Sequence, residues 1–184
     1  MFQTDSFMSS RSNCLLSIVV IAATVSFSCG KKDAETTGTA PAAANHAPPP
    51  LPAGISQDLK KNAGEPVYVF DTLGPVNYPA VQKSIQIPGD AAIAASGWAL
   101  DESKTSPAGG VDVVIDQVPH SARYGLERTD VATHFKRPDY TNSGFQLAMA
   151  PGQLSKGQHS ISIRVISSDK KSYNEGPVVQ FTVN

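Results

Sequence analysis

Between Ser96 and Phe145 the chain reads S-G-W-A-L-D (Ser96 to Asp101), A-R-Y-G-L-E-R-T-D-V (Ala122 to Val131) and N-S-G-F (Asn142 to Phe145). These landmarks put large apolar side chains on short extended segments separated by polar turns. The same rhythm continues on both sides. V-Y-V-F (Val67 to Phe70) and K-S-I-Q-I (Lys83 to Ile87) read as strands, the second stopped by P-G-D (Pro88 to Asp90). A-I-A-A-S-G-W-A-L (Ala92 to Leu100) follows. V-D-V-V-I-D (Val111 to Asp116) and P-H-S-A-R-Y (Pro119 to Tyr124) read as a hairpin around Gln117-Val118. Ser143 to Met149, His159 to Ile166 and Pro177 to Val183 alternate with period two, divided by the polar stretches Pro151 to Gly157 and Ser167 to Gly176. Seven or eight strands with almost no helix predict an all-β, antiparallel two-sheet sandwich. Arg128 to Phe135 is the exception, a helical turn capped by Thr129 or aided by Asp130.

The pattern G-W-A-L-D, then R-Y-G-L-x-R-x-D-V, then N-S-G-F, a P-G-x-L-x-x-G-x-H turn and a terminal V-x-V resembles bacterial immunoglobulin-like domains, modules of secreted, surface and envelope proteins. The resemblance covers Ile85 to Val183. It implies an immunoglobulin-like fold and little about function, because such sandwiches host many roles. Against the pattern, Ser103 to Gly110 is an unusually long link.

Working outward to the front, Met1 to Asn13 is polar, and Cys14 to Phe27 is an apolar run of signal-peptide length, short for a membrane span. Ser28, Cys29, Gly30 and Lys31-Lys32 follow. This stretch resembles a bacterial lipoprotein signal, in which the cysteine becomes a lipidated N-terminus. Ser26 stands where that family normally has an aliphatic residue. An ordinary secretory signal or an uncleaved anchor would use Cys29 incidentally. Cys14 and Cys29 are the two cysteines, so an exported domain would fold without a disulfide. The expected organisation is a signal peptide over 1–28, a lipid-anchored flexible tether rich in Ala, Pro and Thr over 29–64, and the sandwich over 65–184. The tether has too few large apolar residues to offset the entropy of ordering. Within it Ile55 to Ala63 reads as one or two helical turns capped by Ser56.

A formal net charge of −1 gives no reason to expect nucleic acid as a partner. Chemistry is sparse. His46 lies in the tether, and His120, His134 and His159 lack the short spacings of a zinc site. No G-x-S-x-G elbow supports a hydrolase, so neither an enzyme nor a cofactor is expected. The densest polar group is Arg123, Glu127, Arg128, Asp130, Arg137, Asp139 and Asn142 around Tyr124 and Tyr140. Of these, Tyr124, Arg128, Asp130, Tyr140 and Asn142 are the candidate binding residues, with arginine forks for carboxylates and tyrosines for sugar rings. The alternative is structural, Arg128 pairing with Asp130 and Tyr124 packing on Phe135. Asp130, Asp139 and Asn142 also offer hard oxygen ligands to calcium, without EF-hand spacing. Asp112 and Asp116 read as the solvent face of their strand, and Trp98 as the central core aromatic or else an exposed sugar platform.

The sequence thus points to an exported envelope lipoprotein, held in the membrane through lipid on Cys29. Its sandwich binds or scaffolds another envelope protein, or alternatively binds peptidoglycan or surface polysaccharide. Gly30 lacks the aspartate associated with inner-membrane retention, which favours the outer membrane.

Overall fold

The computed structural model describes residues 47–184. The signal peptide, Cys29, the front of the tether and His46 lie outside the described residues. No helix among the described residues is long and apolar enough to cross a membrane.

Period-two apolar segments cannot bury one face each without stacking, and here they stack as two sheets. In chain order the strands are β1 (Lys60–Lys61), β2 (Val67–Leu73), β3 (Val76–Asn77), β4 (Gln86–Ile87), β5 (Ile93–Asp101), β6 (Ser106–Pro107), β7 (Gly110–Ile115), β8 (Val118–Ser121), β9 (Arg123–Leu126), β10 (Gly144–Met149), β11 (Gly157–Ile166), β12 (Ser172–Glu175) and β13 (Val179–Val183). The helix α1 (Thr129–Phe135) follows β9. One sheet runs β3-β2-β5-β10-β9, with β6 returning beside the end of β5. The other runs β4-β13-β11-β7-β8. There β12 replaces β13 beside the C-terminal half of β11, and β1 lies outside β12. The β2-β5-β10-β9 and β7-β11-β13 orders are those of the immunoglobulin sandwich. Two short parallel pairings, β1 with β12 and β4 with β13, close one side of the second sheet.

The core lies between the sheets. Ile93, Ala95 and Ala99 of β5 and Phe145, Leu147 and Met149 of β10 face Val111, Val113 and Ile115 of β7 and Ile161, Ile163 and Val165 of β11. Gly97 belongs to the same row. A Cβ there would sit 2.0 Å from the Val69 carbonyl oxygen and 2.9 Å from the Phe145 ring, so the bare backbone leaves room for Phe145.

Phe145, not Trp98, is therefore the central core aromatic. Trp98 projects from the opposite face of β5, because successive side chains alternate. There it is half-buried in a second, smaller cluster with Val67, Leu100, Val131 and Tyr140. The α1 helix forms its lid, with the Phe135 ring edge-on to Trp98 at 5.7 Å.

Other expectations change in detail. Pro119 to Tyr124 is not one strand. It breaks at buried Ala122, sending β8 to one sheet and β9 to the other. The hairpin turn is at Asp116-Gln117, both at positive φ (47° and 71°). Lys83 to Ile87 pairs as a ladder only at Gln86-Ile87. Ser167 to Gly176 contains β12. α1 has no side-chain cap, since its N-cap position is Arg128.

The largest correction is the domain boundary. Leu51 packs against the core, Ala53 bridges to His120, and Gly54 donates its N–H to the Pro119 carbonyl at 2.9 Å. Ile55–Asp58 is a 3-10 turn and β1 pairs with β12. The segment expected to be the end of a tether is a strap across the outer face of the β7-β11 sheet. It runs from the β8 edge to the β12 edge.

Candidate functional site

The strap is fastened by a buried polar row. Asp112 stands on the outward face of β7 and is fully buried, not solvent-facing as its alternation suggests. Its two carboxylate oxygens accept the N–H groups of Ile55 (3.0 Å) and Ser56 (2.7 Å). It caps the 3-10 turn in place of Ser56, the residue the local sequence favours. Gly54 makes this approach possible, since a Cβ there would lie 2.6 Å from the Pro119 Cβ and 2.8 Å from Asp112. Beside it the Arg164 guanidinium donates to Ser56 Oγ at 3.2 Å and lies 4.7 Å above the Tyr173 ring. Glu175 sits 3.3 Å from Arg164 Nε, accepts from Ser162 Oγ and pairs with Lys61 of the strap at 2.6 Å. Burial alone would raise the Glu175 pKa, but the Lys61 and Arg164 contacts outweigh it and hold its carboxyl low.

On the other sheet, the residues expected to form a loop site are brought together but mutually paired. Arg128 forks onto Asp130 (Nε to Oδ1 2.9 Å, Nη2 to Oδ2 2.7 Å). Its third arm reaches Asp71 at the β2 bulge, tying the crossover to the far edge of the sheet. The Arg128 hydrogen bond holds the Asp130 carboxyl down at about 2 and raises the guanidinium above its ordinary value. Arg137 forks onto Asp139 in the same way and lies 4.8 Å above the Tyr140 ring. Two of the three oxygen ligands expected for calcium are thus occupied by guanidinium groups. Asn142 is exposed at the end of the 3-10 turn Pro138–Asn142. Among the described residues no three acidic, His or Cys side chains form a metal-binding group.

The candidate tyrosines Tyr124 and Tyr140, and Tyr173, do not present stacking faces. Tyr140 is buried beneath Phe135, and Tyr173 is buried beneath Arg164. Tyr124 packs on the main core instead of Phe135. Its hydroxyl donates to the Ala99 carbonyl (2.8 Å) and accepts from the Ala108 N–H (2.9 Å), fastening the long link after β5. Burial pushes its pKa up to about 12. Arg123 and Glu127 are exposed.

His159 is buried at the start of β11. Nδ1 is 2.7 Å from Asp116 Oδ2, and Nε2 is 2.8 Å from the Ser155 carbonyl oxygen. Asp116 Oδ1 also accepts the Ser160 N–H at 2.8 Å.

Two strands of the β2-β5-β10-β9 sheet keep an open edge among the described residues, β9 at one end and the first half of β2 at the other. Val67 to Phe70 of β2 pair with β5 on one side and with no other strand among the described residues, since β3 meets only Thr72 and Leu73. Beside this edge Tyr78 and Val81 are 58% and 78% exposed. Tyr78 adopts a left-handed conformation (φ 47°) while its N–H is held by the Asp71 carbonyl at 2.7 Å. Sequence reading missed Asp71, Asp112, Arg164 and Glu175. A lone aspartate inside the valine run V-D-V-V-I was the available signal for Asp112.

No family model matches the chain, and no curated protein matches it. Among solved structures, the endo-β-1,4-mannanase from Thermotoga petrophila is similar over 67% of this chain and 21% of that one, at 10% identity and a TM-score of 0.40. This chain spans about a fifth of that protein's length.

Proposed function

We propose that this chain is a non-enzymatic lipoprotein of a bacterial cell envelope, anchored through lipid on Cys29. Its immunoglobulin-like module holds another envelope protein by taking an extended segment onto the edge of β2. The observation that carries this reading is the open Val67–Phe70 edge, bordered by exposed Tyr78 and Val81. An unpaired edge offers a row of main-chain donors and acceptors, which give affinity, while flanking side chains give specificity. Glycine would relieve the left-handed backbone at Tyr78, so an exposed tyrosine there costs stability without adding to the core. The anchor rests on Cys29 just past an apolar run of signal length, and Gly30 favours the outer membrane.

Tagged full-length chain, exposed to detergent-solubilised envelope, should enrich one protein over a denatured control. Tyr78→Asn with Val81→Asp, both at exposed positions, should abolish that enrichment without lowering the melting temperature, since Asn tolerates the left-handed backbone. Retention of polysaccharide and no protein, indifferent to the double variant, would contradict the reading. Cys29→Ala should move the chain out of the membrane fraction; if it stays there, the lipid anchor is wrong.

A further inference from the structure

The end of the proline-rich stretch lies against two turns that one histidine joins. Leu51 packs on the core, and Gln153 Nε2 donates to the Pro49 carbonyl at 2.7 Å. Gln153 belongs to the turn after β10, its side-chain oxygen fixed by the Ala150 N–H at 2.8 Å. That turn and the β7–β8 turn are two walls of a cleft that residues 47–51 also line.

His159 joins the two walls. Its Nδ1 faces the Asp116 carboxylate of one, its Nε2 the Ser155 carbonyl of the other. A neutral imidazole carries one N–H, and a carboxylate and a carbonyl both only accept. Making both bonds requires the doubly protonated ring.

We propose that His159 is a pH latch: its imidazolium clamps the β7–β8 turn to the 151–156 turn and keeps Pro48–Leu51 docked, and loss of its proton releases them. Asp116 is the charged group facing the ring. β13 contributes the Phe181 ring at 5.4 Å, and the 151–156 turn contributes the Ser155 carbonyl. From β8, His120 lines the same cleft and is the other titratable group at the docked segment. Burial by itself would lower the His159 pKa, but the bonds to Asp116 and Ser155 outweigh it and raise the value above the ordinary 6.5. Release therefore accompanies a rise in pH through that raised value. It frees four residues, adding roughly 12 Å of extended reach ahead of the domain. Pro52 and Ala53 stay paired to β8, so the strap itself remains.

NMR of the full-length chain from pH 5 to 9 tests this. The His159 ring proton, the Leu51 methyls and the Gln153 side-chain amide should shift together with one midpoint above 6.5. In His159→Gln, Leu51 and Gln153 should hold their high-pH positions throughout, with the Ile163 methyl unmoved as evidence of an intact core. In His120→Asn the coupled transition should persist. Flat Leu51 and Gln153 signals while His159 titrates would overturn the latch, as would an unchanged transition in His159→Gln. Should that variant not fold, Gln153→Ala should fix Leu51 at its released position while His159 still titrates; Leu51 remaining docked there would equally overturn it.

Discussion

Three side chains do work that their local sequence conceals, and each can be probed alone. Asp112 accepts from the buried Ser56 N–H and the part-buried Ile55 N–H, 56 and 57 positions upstream. Leaving a buried donor unsatisfied costs about 1–3 kcal/mol each, so Asp112→Ala should lower unfolding stability by about 3 kcal/mol in urea titrations, and Asp112→Asn by less. Tyr124→Phe loses both hydroxyl bonds and should cost about 1–2 kcal/mol. The His159–Asp116 pair sets a pH signature. Burial would raise the Asp116 pKa, but the His159 and Ser160 bonds lower it below 3.8, so its contribution is present above that value and is lost as pH falls through the lowered one. The raised His159 value works oppositely: its contribution is complete below 6.5 and is lost as pH rises through the folded value. The difference in melting temperature between the native chain and His159→Gln should therefore be largest between about pH 4 and 6.5 and shrink towards alkaline pH. None of these roles is legible in a window of neighbours. Period-two alternation correctly turns Asp112 away from the core, and burial comes from a strap supplied by distant chain.

Elements were far more legible than single residues, because β-branched alternation fixes which face a strand buries. β5, β7, β10, β11 and β13 lie where their patterns placed them. The misses share a cause: tertiary context overrode a pattern. β8 and β9 look continuous, but Ala122 switches sheets between them. β12 hides in a polar turn because Tyr173 is its one buried side chain. Trp98 was misassigned because large aromatics favour cores, while the α1 lid that shelters it depends on a helix of only seven residues. Phe135 makes that lid. Phe135→Ala should red-shift the emission of the sole tryptophan and cost about 1–2 kcal/mol, consistent with one edge-on aromatic contact and partial burial. Gly97→Ala is the harsher test of the β5 register. Its methyl would collide with the Val69 carbonyl, backbone that cannot swing aside, so a loss of at least about 3 kcal/mol or failure to fold is expected in thermal melts.

At the scale of the molecule, the sandwich was readable and its start was not. Alanine, proline and threonine up to Gly54 are the composition of a spacer, and composition alone cannot register that Gly54 fits against Pro119 or that Asp112 waits for Ile55 and Ser56. With the strap in place, the outer face of the β7-β11 sheet around Asp112 is covered by the chain's own residues. The edges of β8 and β12 are partly occupied, while the Val67–Phe70 edge of β2, where we place partner binding, carries no further strand among the described residues. Native-state amide hydrogen exchange on the full-length chain tests this arrangement most directly. The Gly54, Ile55, Ser56 and Asn62 amides should be protected to within about tenfold of Ile163 and Val165 on β11, with the amides on the outer edge of Val67–Phe70 exchanging far faster. Strap amides exchanging at free-chain rates while β11 stays protected would contradict it: the segment would then be a tether, and the outer face of the sheet would be open.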